Sequence, residues 1–259
     1  TPFSGSKTNT TFNNSASALQ LSNPASNATG TYEFASVVDL GGVFSLDLKR
    51  TLRAVGFVTG TDIETVIPSG SFWDDYATDN NFDGAAADEA NTQIQVATSQ
   101  SASGAFGAFN NFANGTFKGR RFKFKLILET TNVAQNMNVQ QAGFLAEFES
   151  RTEQSYQTGG STSTAPQDTL DGSGNPAAKV VTFGKPFFVG TSSTQGGANA
   201  YLPSVGITIQ NAQGGDFFTV TNVSGTGFTV TIKNKDTSGN ETLVNRTFTF
   251  SAVGYGKGG

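Results

Sequence analysis

Residues 206–256 read GITIQNAQGGDFFTVTNVSGTGFTVTIKNKDTSGNETLVNRTFTFSAVGYG, with apolar and polar residues in near-strict alternation. Phe228, Val230 and Ile232 take one side of the pattern, Thr229, Thr231 and Lys233 the other; Phe248, Phe250 and Ala252 oppose Thr247, Thr249 and Ser251 in the same way. A period of two sends successive side chains to opposite faces of a pleated strand. The stretch therefore predicts half-buried strands separated by Gly-rich and Asn/Asp-rich turns, in an antiparallel sheet with one wet face.

The same pattern recurs upstream. Phe122, Phe124, Leu126 and Leu128 alternate with Arg121, Lys123, Lys125 and Ile127, and strands are expected around 32–39, 43–50, 52–58, 93–98, 121–129 and 143–150. A second block is expected near 179–183, 205–211, 216–223, 227–234 and 244–253. Helical spacing of apolar residues is not sustained anywhere; only Gly84 to Asn91 suggests a turn or two of helix. Residues 1–30 are polar with scattered Phe3, Phe12, Leu19 and Leu21, which reads as an extended N-terminal arm or linker docking through those few side chains. Residues 154–178 lose periodicity and fill with Gly, Ser, Thr and Pro, as a linker or exposed loop does. The predicted fold class is all-β: two tandem antiparallel β-sandwich domains, 31–153 and 179–259.

Composition bounds the chemistry. The 259 residues hold no cysteine and no histidine, which removes disulfides, thiolate nucleophiles, serine–histidine triads and histidine-ligated metals. Only 14% of residues are charged and the net charge is −4, so neither a basic footprint for nucleic acid nor a cationic membrane anchor is present. Lacking a long apolar run, the chain is expected to be soluble, with no membrane insertion. Packing must hold the fold, and 23 phenylalanines are available for it; fully burying each contributes about 1.5–3 kcal/mol. Because it begins at Thr1 rather than Met, the chain is expected to be either processed or the tail end of a longer polypeptide.

A family resemblance rests on the order of several short motifs. A strand ending in Gly215-Asp216, a Gly227-Phe228-x-Val230 strand, an Asn/Gly turn, an Arg246-x-Phe248-x-Phe250 strand and a terminal Ala252-x-Gly-Tyr-Gly256 resemble the C-terminal module of bacteriophage tail-tip and tail-fibre (host-specificity) proteins, a module that looks like an H-type lectin domain. Upstream, Asp39-Leu40-Gly41, Phe82-Asp83-Gly84 and the Phe109–Leu126 passage are similar to the jelly-roll-like sandwich that often precedes it. The resemblance implies a virion tail component, assembled in the host cytoplasm alongside other tail proteins, that forms a homotrimer and binds a host cell-surface glycan or outer-membrane receptor. A purely structural tail role is the alternative.

Several loops are candidate sites. Trp73, Asp74, Asp75 and Tyr76 combine a flat ring with carboxylates, the mixture that binds a sugar; Trp73 as a plug at the end of the sandwich is the plainer account. Asp79-x-Asn81-x-Asp83-Gly84 is the first half of a calcium loop, but the closing acid is misplaced: Ala90 stands at the twelfth position, and an ordinary turn also explains the segment. The acidic loop has no second carboxylate cluster to face it, so a glycosidase is not expected, nor is any other enzyme. The basic run Lys118–Lys125 reads as a solvated strand face, its cations free to pair with Glu147 or Glu149 on a neighbouring strand. In the second block Asn199, Tyr201 and Asp216 are loop candidates for ligand binding.

Overall fold

The computed structural model describes residues 3–58, 89–155 and 166–258, and all regular structure among them is β-strand. Nine strands come from the first part of the chain: β1 (Ser6–Thr8), β2 (Thr10–Asn13), β3 (Ala18–Leu21), β4 (Thr29–Glu33), β5 (Val38–Val58), β6 (Ala90–Ser99), β7 (Asn110–Asn111), β8 (Gly115–Thr130) and β9 (Gln135–Glu147). Nine follow: β10 (Ser150–Gln154), β11 (Gln167–Asp168), β12 (Lys179–Thr182), β13 (Ser204–Ile209), β14 (Asp216–Thr221), β15 (Gly227–Lys235), β16 (Glu241–Leu243), β17 (Thr247–Tyr255) and β18 (Lys257–Gly258).

The first sandwich is a single sheet folded over along β5. Residues 43–50 and 52–58, expected as two strands, belong to one strand of 21 residues. Its first half pairs with β8 from Val38↔Phe122 to Leu48↔Gly115, and its second half pairs with β9 from Asp47↔Glu147 to Val58↔Gln135. A strand edge pairs once, so β4 and the start of β5 share one edge of β8 while β6 takes the other. The register of β5 slips between Asp39 and Phe44. There Gly41 adopts φ 77°, a left-handed conformation that costs glycine little, and the extra residues form a bulge.

Alternation along β8 buries Phe122, Phe124, Leu126 and Leu128 against Leu46, Leu48, Ile94, Val96 and Val139 in one apolar core. The opposite face is half-buried where a solvated one was expected: Arg121 lies 4.7 Å from the Phe106 ring centre and Lys125 4.4 Å from that of Phe109. Its cations meet the carboxylates of the strands that flank β8: Lys123 pairs with Glu33, and Arg120 Nε with Asp39 Oδ1 at 3.0 Å. Glu147, expected as a partner of this run, lies on β9 and takes Lys49 instead, at 2.7 Å.

Further segments differ from expectation: β10, which begins inside the expected first domain 31–153, and β11, inside the expected linker 154–178, both pair with β17 in the second sandwich. The N-terminal segment does dock through Leu19 and Leu21, both buried, but it does so as the strands β1, β2 and β3. The possible helical turn from Gly84 to Asn91 lies mostly outside the described residues, and Ala90 and Asn91 open β6.

The second sandwich packs two small sheets face to face. β17 is flanked by β10 and β11 on one edge and β13 on the other, and β15 joins β12, β14 and β16. Val181, Phe183, Phe187, Phe228, Ile232, Phe248 and Phe250 fill the space between them.

The two sandwiches are joined by more than the chain. β18 leaves β17 and pairs with Ser45 and Phe44 of β5, while Gly256 N–H donates to the Glu149 carbonyl at 2.9 Å. Phe188 belongs to the first core although it comes from the second half of the chain: it stacks on Phe148 at 4.0 Å and meets Phe44 edge-on at 5.7 Å. Arg151 completes the joint, lying 3.8 Å from the Phe187 ring centre, donating to the Gly256 carbonyl at 2.9 Å and pairing with the buried Glu153.

Candidate functional site: the cleft between the sandwiches

A cleft of ≈ 390 Å³ opens where the sandwiches meet. Its inner wall comes from the first core, through Val38, Leu40, Leu46, Leu48 and Phe122; Phe144, Phe148 and Leu145 at the end of β9 form one side. The other side belongs to the second sandwich and consists of Phe188, Tyr201, Tyr255 and the turn Ser193-Thr194-Gln195. Strand length produces this gap. β9 has β3 as a neighbour only at Val139↔Leu19, so beyond it one edge of β9 carries no strand among the described residues while the other stays paired with β5, and Tyr201 faces Phe144 and Leu145 across the cleft.

That loop is held in place. Thr191 Oγ1 donates to the Asp39 carbonyl at 2.5 Å, which ties the loop to the bulge of β5, and Thr191 N–H donates to Thr194 Oγ1 at 2.8 Å. Tyr201 N–H donates to the Val189 carbonyl at 3.1 Å and its hydroxyl to the Gln195 carbonyl at 2.9 Å. The Tyr201 ring stacks on Phe188 at 5.8 Å and presents an edge contact to Tyr255 at 6.2 Å, so the ring is set before any ligand arrives. Tyr255 is 46% exposed, which leaves its ring available. The bulge below is also fixed. Burial works to raise the Asp39 carboxyl, but the Gly41 N–H and the Arg120 guanidinium outweigh it and hold the group below its ordinary value.

Of the residues singled out in the sequence, the structure brings Tyr201 into the cleft. Asn199 stands on the same loop, exposed and at φ 60°, a left-handed conformation that Asn tolerates, and is not part of the cleft wall. Asp216 is elsewhere and sealed. Arg246 grips it twice, Nε to Oδ2 at 2.6 Å and Nη2 to Oδ1 at 3.0 Å; Asn234 Nδ2 donates at 2.8 Å and Gln213 N–H at 2.7 Å. The Asp216 carboxylate is 1% exposed, and the Arg246 hydrogen bonds, with those of Asn234 and Gln213, lower its pKa to about 2 against the cost of burial. It is a clamp between β14 and the segment leading into β17. Trp73, Asp74, Asp75 and Tyr76, and the calcium candidates Asp79, Asn81 and Asp83, lie outside the described residues. Among the described residues no group of three or more acidic side chains gathers to hold a metal ion.

Sequence reasoning did not single out Phe148, Tyr255 or the Ser193–Gln195 turn. Phe148 and Tyr255 look like ordinary strand residues, and only the meeting of the two sandwiches turns them into a wall. A second cleft, ≈ 560 Å³, shares Val38 and Phe144 with the first and continues between the layers past Tyr32, Phe34 and Phe124.

The inter-sandwich cleft thus combines aromatic rings with hydroxyl and amide groups, and its described walls carry no carboxylate, guanidinium or ammonium. Such a lining stacks on and hydrogen-bonds to a neutral ligand; it supplies no acid–base pair at neutral pH. No protein-family model matches the chain, and no curated protein or solved structure matches it either.

Proposed function

We propose that the chain is an adhesive element, the receptor-binding part of a bacteriophage tail tip or tail fibre, and that it holds a host-surface glycan in the cleft between its sandwiches. The observation that carries this reading is the lining of the cleft, in which Tyr201, Tyr255 and Phe148 stand beside Ser193, Thr194 and Gln195 with no charged group among the described walls. The C–H face of a pyranose packs on the tyrosine rings, and its hydroxyls exchange hydrogen bonds with the turn. One such contact is weak. Three copies around an axis, other tail proteins holding them in the virion, multiply it through avidity. The chemistry is contact without bond breaking, in keeping with a chain that has no histidine and no cysteine.

The test is a glycan array probed with the labelled chain, wild type against Tyr201→Ala, with light scattering for the assembly state. Wild type retains neutral glycans on the array and Tyr201→Ala loses at least about tenfold in signal, the effect of removing an aromatic anchor. Failure of wild type to bind any glycan, or to block phage adsorption to host cells, overturns the reading in favour of a structural tail role. The joint built from Phe44, Phe148, Phe188 and β18 is what favours that second role, since it welds the two sandwiches into one stiff piece.

A further inference from the structure

We infer that the seam between the two layers of the first sandwich is a second binding site, for the carboxylate of an acidic sugar unit, independent of the inter-sandwich cleft. In β5 the alternation that points Leu46 and Leu48 into the core points Arg50 to the same side. At that position β5 has passed the end of β8, whose pairing stops at Leu48↔Gly115, so one of its edges faces the β6–β7 edge of the other layer across a gap. The gap is a pocket of ≈ 370 Å³. Ile94 and Phe112 form its floor, and Arg50, Gln93, Asn111 and Asn114 its rim.

Arg50 is exposed, and its guanidinium meets no carboxylate among the described residues, whereas its neighbour Lys49, on the other face, has taken Glu147. The rim is held from below. Phe112 is 1% exposed, packs against Phe117 at 5.6 Å and Phe124 at 5.5 Å, and donates its N–H to the Ile94 carbonyl at 2.8 Å. Asn111 is fixed in the ladder opposite Gln95. Asn114 Oδ1 accepts the Arg50 backbone N–H at 2.8 Å, which keeps the side chain at the rim and leaves its amide nitrogen to donate.

The ligand class follows from these groups. A guanidinium takes a carboxylate through two parallel hydrogen bonds, side-chain amides match vicinal hydroxyls, and an apolar floor suits a C–H face. One positive charge on the described rim balances one negative charge, which favours a carboxylate over a phosphate dianion. A uronic acid residue has all of these features in one ring.

The experiment is saturation-transfer NMR on the full chain with methyl β-glucuronide, methyl β-glucoside and acetate as probes. The glucuronide binds at least about tenfold more tightly than the glucoside or acetate, Arg50→Gln removes that preference, Arg50→Lys keeps part of it, and Tyr201→Ala leaves it intact. Thermal melts confirm that the variants fold, and if Arg50→Gln does not, Arg50→Lys and Asn114→Ala carry the comparison, each weakening the glucuronide alone. Equal binding of glucuronide and glucoside by wild type, no glucuronide binding, or a preference that survives Arg50→Gln overturns the site. A preference abolished by Tyr201→Ala and kept by Arg50→Gln reassigns it to the inter-sandwich cleft.

Discussion

Arg246 and Arg50 show how differently the two sandwiches are finished. In the second, strands of two to nine residues face one another in two small sheets, and the arginine that enters the packed region grips Asp216, around which Asn234 and a backbone N–H are also arranged. In the first, β5 and β8 run for 21 and 16 residues and outlast their partners. Arg50 arrives where a neighbouring strand has just ended, and the end of β9 leaves the wall of a cleft in the same way. Mismatched strand lengths, as much as loops, create concave surface in a β-protein.

The joint between the sandwiches offers the largest test of that contrast. Phe188→Ala removes a ring that is 3% exposed and wedged between Phe44 and Phe148; it costs about 3–5 kcal/mol. Calorimetry is expected to show one transition for wild type and two for the variant, the second sandwich melting apart from the first. A single unshifted transition in the variant would mean that Phe188 does not couple the two.

Next comes the clamp. Asp216→Asn leaves Arg246, whose side chain is 12% exposed, without its charge partner and costs about 3 kcal/mol at neutral pH. The folded pKa of Asp216 lies below the unfolded value, so its contribution is complete above pH 3.8 and disappears as the pH falls through about 2. Urea titrations at pH 6 and pH 3 are expected to show wild type losing more stability than Asp216→Asn over that interval. Equal losses would show that the clamp is not what titrates.

Gly256 gives a smaller effect at the same joint. It sits at φ 94°, and a Cβ there would lie 2.9 Å from Phe44 Cδ1 and 3.0 Å from Phe188 Cβ, so Gly256→Ala is expected to cost about 1–3 kcal/mol through strain and displacement. A midpoint unchanged in urea would show that β18 is free to shift. The smallest effect is at Lys49: both it and Glu147 are about half exposed, and Lys49→Ala is expected to change stability by less than about 0.5 kcal/mol in the same titration.

What could be read in the sequence was whatever alternated. β8, β15 and β17 declare themselves because Phe and Leu recur at every second position. β1 to β3 do not, because amides do part of the work that apolar side chains do elsewhere. Asn136 is 3% exposed and binds both sides of the Leu21 peptide, Oδ1 to the N–H at 3.0 Å and Nδ2 to the carbonyl at 2.9 Å, while Gln20 reaches Asn138 at 2.5 Å. Side chains that imitate a ladder carry no hydrophobic signal. Tyr201 was legible as an aromatic in a Gly/Asn loop. The cleft around it was not, since its walls come from β5, β9 and β17, which no local pattern joins. Arg50 left a trace that could be found, a cation where Leu46, Leu48 and Leu52 set the apolar phase.

The strand β5, common to both layers, has a kinetic consequence. Neither layer can close until β5 has captured β8 and β9, whose residues arrive far later in the chain, and Leu21 of β3 must then find Asn136 of β9, 115 positions away. Early intermediates therefore carry naked edges of the longest strand, and slow folding with a tendency to associate through those edges is the expected companion of this architecture.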